Sequence, residues 1–339
     1  MKTPSLSICI PTYNFGRFIG DTLASIIPQA TDKLEIVVLD GASTDNTREV
    51  VEGYRKIFPR LRYACLEHRG GIDRDIARMV DLSEGDYCWL FSADDTIGEN
   101  AIHKALEQIK SGCDVYLLGL TVCTFNMKPL CQHPILDHQV DTVFDLKDPR
   151  ERADYFRHAR TSTAFFSYMS SLIVDRSRWI DTEGDESFVG SCWGHVARIF
   201  RMIPKGLRVK YLPESYLYNR SGNDSFLENG LVNRISIAVN GYNRLADTFF
   251  GHNSEEAFHI RRVIKNEYIL RELLSAKLWA HTQGRACDVQ LLDVLVDKLF
   301  SDRSVQDTFK HMIYRAAPKT CLAIVRKALD TIRAMAKQA

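Results

Sequence analysis

No stretch of this chain stays apolar for the roughly 18 residues that a membrane-spanning helix needs. The sequence holds 9 cysteines, an odd number, and none falls into a CxxC pair or a finger-like spacing. Neither a disulfide framework nor a cysteine zinc site is expected, and buried thiols in a reducing compartment are the simpler reading. A secretory leader is not expected either, because the apolar run Leu6 to Ile10 is short and leads straight into a polar motif. Charge of one sign is missing too. The formal net charge is +1, so no whole-chain field points to nucleic acid. Internal repeats and low-complexity segments are absent. Together these absences point to a cytoplasmic protein, either free or peripheral on the inner face of the cytoplasmic membrane.

What is present suits a sizeable core. Hydrophobic residues make up 45% and charged residues 26%, the usual balance of a folded enzyme-sized chain. Strand and helix signals alternate through the first half. Leu6 to Ile10, Leu34 to Leu39, Leu61 to Leu66, Tyr87 to Phe91 and Val115 to Leu118 are apolar, strand-length runs. Between them lie helical patterns at Phe18 to Ile27, Thr44 to Tyr54, Ile72 to Leu82 and Ala101 to Ile109. This order predicts an α/β fold, a Rossmann-like and mostly parallel sheet with helices on both faces. From about Val122 to Thr163 the pattern weakens, which predicts loops and short elements. Ser170 to Tyr218 holds a further strand, a loop and a helix. Beyond Ser225 nearly everything has helical periodicity, so residues 1–225 are expected as the catalytic domain and 226–339 as a helical region.

Ligands of such sheets bind beyond the carboxyl ends of the strands. Here those ends carry Pro11-Thr12-Tyr13-Asn14, Asp40 and Ser92-Ala93-Asp94-Asp95, polar where the strands are not. Adjacent carboxylates repel unless a cation or hydrogen bonds satisfy them. A hard divalent ion, Mn²⁺ or Mg²⁺, fits Asp94-Asp95, since such ions take one or two carboxylates together with phosphate oxygens. The plainer alternative is a helix cap. Asp40 is placed to accept hydrogen bonds from a nucleobase edge.

The ordered set of motifs resembles the inverting family 2 glycosyltransferases, which have the glycosyltransferase A fold. Ser7 to Asn14 is similar to their opening strand and loop, and Ile36 to Thr47 to their second motif, with the usual aspartate pair reduced to Asp40-Gly41. Gly70 to Asp75 and Gly85 to Tyr87 resemble the stretch leading to the metal motif, which Ser92-Ala93-Asp94-Asp95 matches except for Ser92 in place of an aspartate. The resemblance implies that Pro11, Thr12, Tyr13 and Asp40 hold base and ribose. Asp94 then lies near ribose or donor sugar, and Asp95 binds the metal bridging the diphosphate. Arg74 is either a second positive charge there or a solvated helix residue. Tyr218 to Ser225 resembles the loop that closes over the diphosphate, with Arg220 as a cationic clamp.

The family's catalytic base sits in a Glu-Asp pair before a helix in the second half. Here Asp185-Glu186-Ser187-Phe188-Val189-Gly190 leads to Ser191-Cys192-Trp193-Gly194-His195, with no acidic pair at that place. His195 is the nearest group able to take a hydroxyl proton near neutral pH, with Asp185 and Glu186 as rivals. Trp193 either stacks on the acceptor sugar or packs in the core. Within the family, Gly71 to Asp75, Cys88 to Ser92 and Phe125 to Leu130 are similar to bacterial O-antigen abequosyltransferases. That likeness implies a CDP-linked 3,6-dideoxyhexose donor, CDP-abequose among them, and a lipid-linked oligosaccharide acceptor in lipopolysaccharide synthesis. A UDP- or GDP-sugar enzyme of the same family and an inactive nucleotide-sugar-binding module are the other readings. A sugar-phosphate nucleotidyltransferase wants a Gly-rich basic loop after the first strand, which Pro11 to Arg17 does not supply. The last segment is basic. From Ser301 on it carries Arg303, Lys310, Arg315, Lys319, Arg326, Lys327, Arg333 and Lys337 against three aspartates. It is expected either to dock on anionic lipid or to pack as a helix, on the catalytic domain or in a homo-oligomer contact.

Overall fold

The computed structural model describes residues 4–227, 229–300 and 304–317. The chain divides into two compact units, Met1–Asn223 and Asp224–Ala339. In the first unit the chain runs through β1 (Leu6–Thr12), α1 (Ile19–Ile26), β2 (Leu34–Asp40), α2 (Thr47–Arg55), β3 (Leu61–Cys65), α3 (Ile72–Leu82) and β4 (Tyr87–Leu90). It continues with β5 (Thr96–Ile97), α4 (Ala101–Gln108), β6 (Val115–Cys123), β7 (Pro129–Gln132), β8 (Thr142–Asp145) and α5 (Pro149–Arg157). Then come β9 (Leu172–Asp175), α6 (Arg176–Ile180), α7 (Gly194–Met202) and β10 (Arg208–Arg220).

The main path across the sheet is β3-β2-β1-β4-β9-β6-β10-β5, with β7 on β6 and β8 on β10. Strands β1, β2 and β4 are buried at every position. That is why they read as unbroken apolar runs: a strand covered on both faces has no polar side to alternate with. They pair in parallel, as does β3, so their carboxyl ends face one way. The register Thr12↔Asp40 sets the polar ends of β1 and β2 side by side.

The second half is mixed rather than parallel. β9 runs antiparallel to both β4 and β6, while β10 is parallel to β6. A bulge in β10 between Leu212 and Leu217 lays the Pro213 and Glu214 carbonyls over Gly119. A Cβ at Gly119 would lie 2.3 Å from the Pro213 oxygen, so a glycine is required there. The weakly patterned stretch conceals α5, which opens on Asp148, whose side chain accepts from the Arg150 and Glu151 amides, with Pro149 at the first helical position.

The second unit is helical: α8 (Leu231–Phe249), α9 (Glu255–Glu267), α10 (Leu270–Thr282), α11 (Ala286–Leu299) and α12 (Val305–Ala316). Its core is built from residues at helical spacing, Ile235, Val239 and Tyr242 on α8 with Leu292, Leu295 and Val296 on α11. Among the described residues no helix is long and apolar enough to cross a membrane. The basic stripe after Pro318 lies outside the described residues.

Candidate active site

Side chains converge where β1, β2 and β4 end. Asp40, the last residue of β2, is buried. Its Oδ1 accepts the Ser43 N–H at 2.7 Å and its Oδ2 accepts the Tyr63 hydroxyl at 2.6 Å. A carboxylate offers about four lone-pair sites, so two remain open. The Thr12 carbonyl accepts the Gly41 N–H at 2.8 Å, which ties the two strand ends together. Pro11 and Thr12 are buried, and the Thr12 hydroxyl has no protein partner. Tyr13 is half-buried, with the Arg69 guanidinium 4.2 Å over its ring. Asn14 laces the loops together, donating its N–H to Ser43 Oγ and accepting from the Thr44 N–H, both at 2.8 Å.

The aspartate pair beyond β4 is asymmetric. Asp95 is 1% exposed, and its four acceptor sites meet four donors. Oδ2 accepts the Tyr168 hydroxyl and, at 2.6 Å, the Ser170 hydroxyl. Oδ1 accepts the Arg220 N–H at 3.1 Å and the Asn219 amide at 3.3 Å. Burial, followed by the charge of Asp94, pushes the Asp95 carboxyl up to about 7, and its hydroxyl and amide donors oppose that shift. Asp94 accepts two hydrogen bonds, from the Ser92 hydroxyl and from Asn223 Nδ2 at 2.8 Å. The expectation of a metal on Asp95 therefore meets a filled carboxylate, whereas Asp94 keeps two acceptor sites.

Arg220 does not face outward as a clamp. It is the last residue of β10 rather than part of a closing loop, and it is buried. Nε donates to the Asp94 carbonyl at 2.9 Å, Nη1 to the Phe125 carbonyl at 2.7 Å and Nη2 to Asp21 Oδ2 at 2.8 Å. All three guanidinium nitrogens are engaged within the protein, so this residue braces the aspartate pair. Arg74 is exposed on α3.

A second cluster forms where α3 meets the start of α7. Asp73 accepts the Cys192 N–H at 3.0 Å and the Gly194 N–H at 2.8 Å, so α7 is capped from another helix. Cys192 itself holds a left-handed φ of 72°. Next to this cap stands His195, buried in the first turn of α7, with neither ring nitrogen in a regular hydrogen bond. Burial lowers its pKa, against the pull of Asp73 and of the Ser167 and Phe166 backbone. Trp193 is buried, as core packing requires and as a stacking platform does not. Asp185 caps a short turn through Ser187 and pairs with Arg201 at 3.5 Å; Glu186 is exposed. The sequence reading missed Tyr63, Asp73, Tyr168, Ser170, Asn219 and Asn223. Their common signal is a polar residue in or beside a buried apolar element.

Residues 7–170 match the sequence profile of Glycosyl transferase family 2. The chain is a glycosyltransferase, similar over these residues to family 2. The enzyme is 29% identical over 283 residues, 82% of each chain, to abequosyltransferase RfbV of Salmonella typhimurium. It is 23% identical, over 58% of its own length and 66% of the relative's, to a GalNAc(5)-diNAcBac-PP-undecaprenol beta-1,3-glucosyltransferase of Campylobacter jejuni. Among solved structures, S. aureus TarS 1–349 in complex with UDP-GlcNAc superposes with a TM-score of 0.60 at 18% identity, covering 96% of this chain and 92% of the other. The mannosyltransferase PcManGT from Pyrobaculum calidifontis, in complex with GDP-Man and Mn²⁺, gives 0.53 at 16% identity, covering 97% and 87%. These structural likenesses establish the fold of the glycosyltransferase.

Proposed function

We propose that the enzyme moves a 3,6-dideoxyhexose from a CDP donor to a lipid-linked oligosaccharide in O-antigen synthesis. The observation that carries this reading is the similarity to an abequosyltransferase over four-fifths of both chains. The strand-end geometry is consistent with it. Asp40 has two acceptor sites left for the donor N–H groups of a pyrimidine edge, and Tyr63 fixes its orientation. Thr12 supplies an unpartnered buried hydroxyl beside it.

A divalent cation, Mn²⁺ or Mg²⁺, suits Asp94, because that carboxylate has open acceptor sites while Asp95 has none. When bound there, such an ion supplies charge neutralisation for the departing nucleoside diphosphate. Ser92, Arg220 and Asn223 hold the Asp94 backbone and carboxylate in place. His195 is the group we assign to take the proton of the acceptor hydroxyl at its ring. Burial keeps it neutral near pH 7, and the Asp73 charge favours the imidazolium once the proton has arrived.

The second unit supports a membrane role. On α12, Val305, Phe309 and Met312 are exposed at helical spacing, with Lys310 on the same helix, while Arg315 is paired with Asp293 and Asp297. An apolar stripe with a basic residue beside it suits the headgroup layer of anionic lipid, where a lipid-linked acceptor resides. The donor is tested by thermal shift with CDP, UDP, GDP and dTDP in the presence of Mn²⁺. A ligand at 100 times its dissociation constant stabilises by about 2.7 kcal/mol. CDP is expected to rank first; UDP or GDP above it would make this a family 2 enzyme of another glycan.

A further inference from the structure

A second candidate metal centre stands apart from the aspartate pair. His138, in the loop between β7 and β8, meets Asp154 and His158 at the end of α5. One ligand atom from each residue can be chosen so that all three lie within 4.8 Å of one another. The His158 Nδ1 lies 2.9 Å from the Asp154 backbone carbonyl and 3.2 Å from Asp154 Oδ1; an Nδ1–H donated to the backbone fixes the tautomer and leaves Nε2 as the ligating nitrogen. His158 and Asp154 are one helical turn apart, so the backbone itself sets them on one face.

The third ligand is held in place by packing. The His138 ring stands edge-on to Phe144, with centroids 5.3 Å apart, and edge-on to His158 at 4.9 Å. Its Nδ1 is buried and has no hydrogen-bond partner. A buried, unpartnered nitrogen needs an explanation, and a cation shared with His158 and Asp154 supplies one. Two imidazoles and one carboxylate are a borderline donor set, which selects zinc-like ions over the hard Mg²⁺. None of the three residues belongs to the donor-site motifs, and cysteine counting had no means of finding them.

We propose that His138, Asp154 and His158 form a zinc-class site, with the fourth position left to water, which pins the β7–β8 loop to α5. Binding of Zn²⁺ releases any proton on the ligating nitrogens and involves no other chemistry. The test uses the full-length chain stripped with chelator and titrated with Zn²⁺ alone. Asp94→Asn is made in every sample to remove binding at the aspartate pair. Zinc content after dialysis and the visible spectrum of bound Co²⁺ are the readouts. One equivalent per chain and a tetrahedral cobalt spectrum are expected. Loss of a partner to a metal ligand already costs about 10–100-fold in affinity, so His158→Gln and His138→Gln should each lose at least about tenfold. Should a variant misfold, protection of His138 and His158 from diethylpyrocarbonate by zinc, read by mass spectrometry on the histidine-intact chain, gives the answer. Zinc binding unchanged in both variants, or no zinc-dependent protection, overturns the site.

Discussion

The Arg220 guanidinium donates its Nε–H to the backbone carbonyl of Asp94 at 2.9 Å, from the end of a strand far along the chain. The same residue's N–H reaches Asp95, so one arginine fixes both members of the aspartate pair. Arg220→Ala leaves the Asp94 and Phe125 carbonyls without donors. A buried acceptor left unmet costs about 1–3 kcal/mol, so a clear fall in melting temperature is expected together with loss of turnover. Arg220→Lys retains the charge but not the three-way reach, and should fall between the two. If Arg220→Ala melted like wild type and lost only donor affinity, the outward clamp would be restored.

Asp94 and Asp95 should part company under the same substitution. Asp94→Asn removes a charge from a carboxylate with open acceptor sites, so metal-dependent turnover should drop by two or more orders of magnitude while the melting temperature changes little. Asp95→Asn sets an NH₂ group against donors that already fill both oxygens. Facing donor to donor in a buried site costs about 1–3 kcal/mol. Its main effect should therefore be on stability. A Mn²⁺ titration of activity, run beside a melting curve, separates the two; the reverse pattern would return the metal to Asp95.

The pH dependence follows from Asp95, whose carboxyl is raised from 3.8 to about 7 by burial and by Asp94. Between those values the folded enzyme keeps a proton that the unfolded chain has released. Its contribution to stability therefore declines as pH rises through that window and is constant above about 7. A cation at Asp94 favours the ionised Asp95, so Mn²⁺ affinity should rise as pH climbs through about 7, with proton release on binding. Calorimetry in buffers of different ionisation enthalpy measures that release. A pH-independent affinity from about pH 6 to about pH 8 would show that Asp95 is already ionised.

Much of this was legible in the sequence because buried strands advertise themselves. Leu34 to Leu39 is apolar throughout, and β2 is buried throughout. Asp40 and Asp94-Asp95 stood out as polar residues where such runs stop. The partners of those carboxylates were not legible. Tyr168 arrives from the segment before β9, Asn219 from β10 and Asn223 from the turn just after it, and only the antiparallel insertion of β9 between β4 and β6 brings them over the pair. Asp73 looks like an ordinary residue in the first turn of a helix until α7 is seen to start on its carboxylate. Tyr218 to Arg220 resembled a loop by motif, but pairing with β6 makes it a strand end.

His195 provides a sharper test of mechanism. A general base typically contributes about 10²- to 10⁴-fold in rate, so His195→Ala should lose kcat by that order while donor affinity holds. Because Asp73 caps α7 and favours the imidazolium, Asp73→Asn should shift the pH profile of kcat to lower pH, the direction expected when a charge that supports protonation is removed. A His195→Ala enzyme within a few-fold of wild type, with an unaltered profile in Asp73→Asn, would leave His195 as core and pass the role to Asp185 or Glu186.

The exposed face of α12 makes the membrane proposal testable within described residues. Val305 is 89% exposed, Phe309 64% and Met312 61%, each leaving a large apolar side chain in water. Removing such a side chain from water is worth about 1.5–3 kcal/mol, and each basic residue near an anionic surface adds about 1 kcal/mol. Phe309→Ser with Met312→Ser should therefore weaken co-sedimentation with anionic vesicles by at least an order of magnitude. The melting temperature should hold, because neither side chain is in the core. High salt should weaken binding to anionic vesicles but leave the small residual binding to neutral ones unchanged. The competing use of the same face is contact between two copies of the chain. In that case the double substitution would shift sedimentation velocity toward the monomer and leave vesicle binding where it was. That outcome would end the membrane role of α12 without touching the assignments at the aspartate pair.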